Sequence, residues 1–595
     1  MRIVNRFILA LSAAVIAAVA QAQISITCSV KDGQKISGLQ GFRITVQSSH
    51  TVSEVEFYVN DDLRSTDEST PYEFDIDTIA EKEGPIKVKV LAYDSEGAQK
   101  VLNLNLVVDN ELGKGADFFV DQGQALLAEG KWLPAIDKGR VALKASPKHI
   151  GARVLLARAN FGRGVYDAAQ KFVQDILAED PKNADALDLK AAISLRTAFN
   201  ATGSSREDTV NIIDKALRQA AASRASIYES RLDNFGPVND ENRLRFVDLA
   251  IRSGRYSLVY RELDPLFRSS PRNSAVANRL IYAQLRGGKF RQAAENASIY
   301  SKRGLPDAAG WALVAITRQR TGDADGSIAA ETEAIKNDSS DVTVRSAQAF
   351  LALARGRAQA FSGFVNDLVK DEDQRFVVMI YRSILFNSAN DYEGSKNSFE
   401  QAVLNEPSSY DAYIMRGNQL IGYSTNPESG KEDVAYYRSL ARVMFEAAIA
   451  AKPESFEALT GLAISALIDN KQADAMKYAQ SAAAAGPEYG AAQYVLSMVQ
   501  GAEALRLRQA SSVADGQAAG FRANGQMDEA RKAADDARKL ASEADKYQAA
   551  SEATIKLAGQ CDPVNLEGKG IPNLYEAWRY FASYGKPVLV IQPQQ

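Results

Sequence analysis

The sequence has few of the residues that build metal centres and disulfide frameworks. It contains two cysteines and two histidines among 595 residues. His50 and His149 stand far apart, so the sequence predicts no histidine metal cluster. Cys28 and Cys561 lie near opposite ends of the chain, and two cysteines do not make a disulfide framework. We expect two separate, mostly buried thiols, with a pairing of the two left open.

An excess of one charge and long apolar runs are also lacking. Lys and Arg number 70 against 74 Asp and Glu, a net charge of −4, which argues against a nucleic-acid binder. Beyond the amino terminus no stretch approaches 18 apolar residues, so we expect no membrane span in the mature chain. No phosphate-binding loop, nucleophile elbow or zinc-helix motif occurs. We therefore expect no enzyme activity, cofactor or metal, with an enzyme subunit kept as a weaker alternative.

The amino terminus has the pattern of an export signal. Arg2 and Arg6 precede an apolar run from Phe7 to Ala20, which is too short to span a bilayer comfortably. The sequence Ala20-Gln21-Ala22 fits a small-x-small cleavage site. Residues 1–22 are therefore predicted to be a signal peptide cut near Ala22, which places the mature chain in the periplasm or outside the cell. An uncleaved N-terminal anchor is the alternative.

Residues 24–109 alternate between apolar and polar side chains, as half-buried β-strands do. The alternation is clear in VSEVEFYV, IKVKVLAYD and VLNLNLVVD, and turn clusters such as Asn60-Asp61-Asp62 separate these runs. The spacing is typical of a β-sandwich. The segments VEFYVND, TPYEFDIDT and IKVKVLAYDSEG resemble the immunoglobulin-like modules of exported bacterial proteins. That resemblance implies a spacer or adhesive unit and no chemistry.

From residue 116 onward, prolines and glycines recur with a period of 34 residues. Asn390 continues the glycine series, and Asn tolerates the left-handed turn conformation. A 34-residue period made of two helices resembles the tetratricopeptide repeat, and the resemblance implies an α-solenoid. The markers are Pro147 and Pro181, Pro271 and Pro407 (136 apart), Pro453 and Pro487, Gly130 and Gly164, and Gly254, Gly288, Gly322 and Gly356.

Counting from these markers divides residues 116–489 into about ten repeats with two insertions. We expect the insertions in polar, loop-like stretches around Asn200–Asp208 and Thr425–Asp433. Predicted repeats begin at residues 116, 150, 240, 274, 308, 342, 376 and 456. The fold class predicted for the whole chain is mainly α, a solenoid of tetratricopeptide helix pairs preceded by a small immunoglobulin-like β-sandwich.

Residues 490–558 are predicted to hold an extended eleventh repeat and capping helices. An insertion of 21 residues before Gly525 predicts an unusually long first helix. The alanine-rich, charged second half suits a polar cap on the last apolar face, and a free coiled coil is the alternative. The tail, residues 559–595, contains a strand-like run from Val588 to Ile591 whose partner the sequence does not identify.

The resemblance implies binding on the concave face, which the first helix of each repeat lines. Tyr, Arg and Asn on that face could hold a peptide backbone or a carboxylate of a protein partner in the cell envelope. The rival function is a cell-wall or carbohydrate-binding adhesin that acts through the β-module and uses the repeats as a stalk. The candidate binding residues are Asn278, Tyr282, Arg286, Gln319, Arg320, Asn387 and Asn418.

Overall fold

The structure, a computed structural model, describes residues 24–372, 376–425 and 430–561. The predicted signal peptide and the run from Val588 to Ile591 lie outside these residues. The chain divides into two compact units, of which the first ends at Phe172 and the second begins at Val173.

The described residues form eight strands, a short 3₁₀ helix at Leu112–Lys114 and 22 α-helices. The strands are β1 (Ser25–Cys28), β2 (Lys35–Ile36), β3 (Leu39–Gln47), β4 (Val52–Val59), β5 (Asp62–Asp67), β6 (Tyr72–Asp77), β7 (Gly84–Asp94) and β8 (Gln99–Val108). The helices are α1 (Ala116–Ala128), α2 (Trp132–Ala145), α3 (Ile150–Gly162), α4 (Tyr166–Glu179), α5 (Ala184–Phe199), α6 (Arg206–Asp233), α7 (Arg243–Arg252), α8 (Tyr256–Ser269), α9 (Ser274–Arg286), α10 (Phe290–Arg303), α11 (Ala308–Arg320), α12 (Ala324–Asp338), α13 (Val342–Ala354), α14 (Ala358–Glu372), α15 (Phe376–Ser388), α16 (Tyr392–Asn405), α17 (Tyr410–Ser424), α18 (Lys431–Ala451), α19 (Phe456–Ile468), α20 (Gln472–Ala485), α21 (Gly490–Ala523) and α22 (Met527–Cys561).

The strands make a sandwich of two sheets, as the alternation predicts. One sheet has the order β1-β3-β6, and the other has the order β2-β8-β7-β4-β5. The alternate apolar residues of β4, β6, β7 and β8 point into one shared core, in which the Phe57 and Phe74 rings stack 4.8 Å apart. Asn60 and Asp61 both have positive φ angles, 49° and 68°, which is the turn geometry that matches the twist of a β-hairpin.

The β-module packs directly on the first pair of helices. Ile79, which follows β6, is buried in a cluster with Phe119 of α1 and Val141 of α2. Polar contacts surround this cluster: Lys144 Nζ of α2 lies 3.1 Å from a carboxylate oxygen of Glu83. Burial would raise the pKa of Glu83, but hydrogen bonds from Asn110 and Lys144 outweigh it and lower that pKa. The β-module therefore closes the apolar end of the first repeat.

Eleven helix pairs follow, and each consecutive pair, α1–α2 to α21–α22, is numbered here as one repeat. The first helices of seven repeats begin at the residues counted from the markers, whereas that of repeat 4 begins at Arg243 instead of residue 240. The turn inside the repeat holds a left-handed residue in nine repeats, and Asn390 (φ 60°) takes the place of glycine as predicted. Five residues after the turn position, a small side chain is fully buried at the helix contact in four repeats, namely Ala135, Ala169, Ala293 and Ser395.

The two insertions mainly lengthen helices, which corrects their expected assignment to loops. The loop before α6 has six residues, whereas α6 itself has 28 and α18 has 21, against 14 in α4, α8 or α10. The alanine-rich sequence in the middle of α6 favours a helix there. The Ser205 hydroxyl also caps α6 by accepting a hydrogen bond from the Asp208 N–H.

The last repeat is a long antiparallel helix pair. Helix α21 has 34 residues, 21 more than the 13 of α19, so the predicted long first helix is confirmed. Small residues at seven-residue spacing face each other along the pair, and the Ser497 and Ser551 hydroxyls each donate to the other's backbone carbonyl at 2.9 Å. The pairing is a coiled coil within the chain, built on Gly490, Ser497, Ala504, Ser511 and Ala518 opposite Ala530, Ala537, Ala544, Ser551 and Ala558.

Ile79→Ala tests whether the β-module stabilises the first repeat. We expect it to lower the free energy of unfolding of this region by about 2–4 kcal/mol, because it leaves a cavity in a buried cluster. Ile328→Ala is the control, since Ile328 is half exposed on α12 and its loss should cost less than about 0.5 kcal/mol. Urea unfolding followed by circular dichroism measures both. If Ile79→Ala costs as little stability as Ile328→Ala, the β-module does not stabilise the first repeat.

Candidate functional site

The seven candidate binding residues fall into a buried group and a half-buried group. Asn278, Tyr282 and Arg286 lie on α9, and Gln319 and Arg320 lie on α11; all five are at most 9% exposed. Asn387 on α15 and Asn418 on α17 are half-buried. The structure therefore brings the first five together inside the second unit, where they meet other parts of the same chain.

Arg286 contacts residues more than a hundred positions away. Its guanidinium pairs with the carboxylate of Asp411 and lies 4.8 Å from the ring centroid of Tyr410, at the start of α17. The Tyr410 hydroxyl also lies 2.9 Å from that of Tyr256 on α8. Burial alone would lower the pKa of Arg286, but Asp411 outweighs it and raises that pKa. Repeats 4 and 5 are thus joined to the first turn of repeat 9.

Lys452, in the link between repeats 9 and 10, adds a second buried cation. Its ammonium group lies 4.6 Å from the ring centroids of both Tyr256 and Tyr410, and 3.5 Å from the backbone oxygen of Arg286. Aromatic faces attract a cation most strongly when water is excluded, and Lys452 is only 8% exposed. The two cations therefore share the ring of Tyr410.

Arg320 makes a similar contact between a buried cation and aromatic rings. Its guanidinium lies 4.6 Å from the ring centroid of Phe290 and 5.7 Å from that of Tyr489, in the link before repeat 11. Beside it, the backbone N–H of Arg291 donates to the carboxylate of Glu488 at 2.8 Å. Two of the other three buried candidates bond more locally: Asn278 donates to Asp307, and Gln319 accepts from Arg355.

The lengthened helices α6 and α18 pack on each other at the edge of these contacts. Arg206 of α6 pairs with Asp433 of α18 at 3.0 Å, and the Tyr228 hydroxyl donates to the Glu406 carboxylate at 3.2 Å. Glu446 of α18 lies beside Asp214 of α6, and burial together with this second carboxylate raises the pKa of Glu446. We call the whole set of contacts between repeats 3–6 and repeats 8–11 the internal seam.

Sequence reasoning did not find the internal seam. The seam contacts described above join residues 124 to 232 positions apart, and no local periodicity connects them. The one available signal was the pair of breaks in the 34-residue period, because both breaks lengthen helices that meet in the seam.

Repeats 8 and 9 carry a partly exposed group of tyrosines, which we call the tyrosine surface. It consists of Tyr392, Tyr423, Tyr436 and Tyr437, whose successive ring centroids lie 4.7–6.1 Å apart. The Tyr423 hydroxyl donates to Asn387, one of the candidate binding residues. Tyr392 is 46% exposed. Tyrosine is enriched at protein interfaces because its ring is large and rigid and ends in a polar group.

Three family models match the sequence. A bacterial Ig domain model matches residues 23–90, and tetratricopeptide repeat models match residues 126–193 and 439–490. The chain carries tetratricopeptide repeats behind a bacterial immunoglobulin-like domain. Both resemblances read from the sequence are thereby confirmed, and the two parts together fit a protein-interaction scaffold.

Two solved structures illustrate these similarities. Fibronectin(III)-like modules of Clostridium thermocellum CbhA are 28% identical, covering 14% of this chain and 94% of theirs, with a TM-score of 0.13. Yeast Tom70 is 12% identical, covering 74% of this chain and 96% of its own, with a TM-score of 0.31. Both TM-scores are low, so the assignment of the tetratricopeptide repeats rests on the family models and the helix pairs. No curated protein sequence gave a significant match.

Two further observations concern chemistry and membranes. Within the described ranges, no three His, Cys, Asp or Glu side chains are grouped so that they could hold a metal ion. Cys28 and Cys561 form no disulfide with each other, and both are half-buried. In the same part of the chain, no helix combines the length and the apolar character that crossing a bilayer requires.

Glu446→Gln tests the electrostatics of the α6–α18 contact in the tetratricopeptide region. When folding raises the pKa of a carboxyl group, that group stabilises the folded state at low pH. The contribution is lost as the pH rises above 4.5, the usual pKa of a glutamate, and through the raised pKa. We therefore expect Glu446→Gln to raise the melting temperature at pH 7 and to flatten its pH dependence between pH 4.5 and 7. Exposed Glu432→Gln is the control. A lower melting temperature at pH 7 would contradict the prediction.

Proposed function

We propose that this protein is an exported scaffold that binds a protein or peptide partner in the cell envelope through the inner face of its tetratricopeptide repeats. The export proposal rests on the amino-terminal pattern of positive charge, apolar run and small-residue cleavage site. The binding is proposed to be non-covalent, since no catalytic motif was found in the sequence.

The observation that supports binding best is the tyrosine surface of repeats 8 and 9. Asn387, predicted to face the partner, is joined there to a run of aromatic rings that water still reaches. Arg206, whose side chain is 54% exposed, lies 5.5 Å from the Tyr436 ring centroid, so the surface also contains the other residue type that is enriched at hot spots. Three of its four rings lie on the second helices of their repeats, outside the inner face. We propose that a partner contacts this surface first and the inner face afterwards, because the candidate residues of repeats 5 and 6 are covered.

A second candidate function, the carbohydrate-binding adhesin, is supported by two aromatic residues of the β-module. Tyr58 and Tyr93 lie on the outer face of the larger sheet, half-buried, where both hydroxyls donate to Glu56. Phe57 and Phe74, by contrast, are core residues. Aromatic faces beside a carboxylate can bind a sugar ring, and this candidate ranks second because only two rings form it.

A capture experiment separates the two candidates. The mature chain from Gln23 is immobilised, exposed to envelope extract, and compared with a Tyr392→Ala/Tyr437→Ala variant and a Tyr58→Ala/Tyr93→Ala variant. We expect a protein to be retained by the wild type and by the β-module variant, and about tenfold less by the repeat variant, since losing two hot-spot rings costs more than 1.4 kcal/mol.

Circular dichroism checks that both variants fold. Retention that survives the repeat variant and disappears with the β-module variant would transfer the function to the β-module. Retention of wall polysaccharide in place of protein would support the adhesin.

A further inference from the structure

Three links between late repeats share a short sequence pattern. A link is counted here together with the first two residues of the helix that follows it. Each link has a proline followed within four residues by an aromatic residue and an acid. Each of them lies in the internal seam, against repeats 4–6. The three are Pro407 with Tyr410 and Asp411, Pro453 with Phe456 and Glu457, and Pro487 with Glu488 and Tyr489.

Two of the three links meet an arginine of the earlier repeats. Tyr410 and Asp411 lie against the guanidinium of Arg286, and Tyr489 lies against that of Arg320. The third link meets an open turn instead: the Phe456 ring covers the backbone of Gly288 so closely that an added Cβ would lie 3.0 Å from the ring. The recurring element is therefore an arginine that receives the ring or the acid, and it is clearest at Arg286.

Arg286 and Arg320 belong to the face on which a partner was predicted to bind. An arginine that stacks on a ring and pairs with a carboxylate can receive an acidic–aromatic segment of another chain, because both contacts are made through side chains. In this structure the protein's own links occupy the positions that such a ligand would take.

We propose that the inner face of repeats 4–6 is a receptor for short segments containing proline, an aromatic residue and an acid, and that the protein's own links hold it closed. A partner that presents such a segment binds by displacing the link of residues 405–411 from Arg286. This proposal rests on the proposed scaffold function and specifies the chemistry of its partner.

Tethering explains why the closed state prevails. A link within the same chain competes at an effective concentration of the order of millimolar, so a free segment with equal contacts binds weakly. Removing the link's own side chains should therefore increase the affinity for a free segment, provided that Arg286 remains.

Fluorescence anisotropy with a labelled peptide tests the proposal on the full mature chain. The probe is the protein's own sequence LNEPSSYDA, Leu404 to Ala412. We expect Tyr410→Ala/Asp411→Ala to bind it at least tenfold more tightly than the wild type does, and the further change Arg286→Ala to abolish that gain. A scrambled peptide should not bind, and exposed Arg538→Ala, added to the opened variant, should leave its affinity unchanged.

Two outcomes would overturn the proposal. One is an opened variant that folds, by circular dichroism, and binds the probe no more tightly than the wild type; the other is equal binding of the scrambled peptide. If the double variant does not fold, Asp411→Asn replaces it, which nearly keeps the shape of the side chain and removes the charge that pairs with Arg286. An unchanged affinity in that variant would also overturn it. If the chain still captures a partner protein but the opened variant does not bind the peptide, the receptor proposal is rejected and the scaffold function is not.

Discussion

The buried ion pair between Arg286 and Asp411 fixes two distant parts of the repeat region against each other. Both side chains are almost fully buried, and the ring of Tyr410, whose hydroxyl meets that of Tyr256, lies over the arginine. Removing one partner from such a pair leaves an uncompensated buried charge, which typically costs 3–5 kcal/mol. The pair therefore strongly favours the state in which repeats 4 and 5 meet the start of repeat 9.

The lengthened helices extend this contact beyond a single ion pair. In an ordinary solenoid each repeat touches only its neighbours, so stability is a sum of nearest-neighbour terms. Here α6 and α18, in repeats 3 and 9, add a contact between distant repeats. Because unfolding one end would break that contact, we expect the repeats between them to unfold with more cooperativity than a linear array.

Much of the fold could be predicted from the sequence, because it depends on local patterns. A 34-residue period specifies helix lengths and turns, which is why the start of α9 and the left-handed Asn390 agree with the count. The small residues of α21 and α22 also recur, at intervals of seven residues. Because coiled-coil cores usually contain larger side chains, the sequence did not predict the coiled coil. Counting residues between two markers shows that an insertion lies between them, but not whether it forms a loop or lengthens a helix. The lengthening of α6 was therefore not predicted.

The candidate site was less predictable for a different reason. Repeat phasing assigns Tyr282 and Arg286 to a face, yet it does not say what that face meets. Contacts between residues more than a hundred positions apart depend on how rotations accumulate over five repeats, and no local pattern encodes that sum. The binding roles of the seven candidates stay predictions, and the structure adds that five of them are buried in contacts within the chain.

A double-mutant cycle on Arg286 and Asp411 tests the internal seam most directly. The free energy of unfolding would be measured for the wild type, for Arg286→Ala, for Asp411→Ala and for the double variant. If the seam exists in solution, the two changes are coupled by about 2 kcal/mol or more, as for residues in direct contact. Additive effects, within about 0.5 kcal/mol, would show that the two side chains do not meet and would contradict the account.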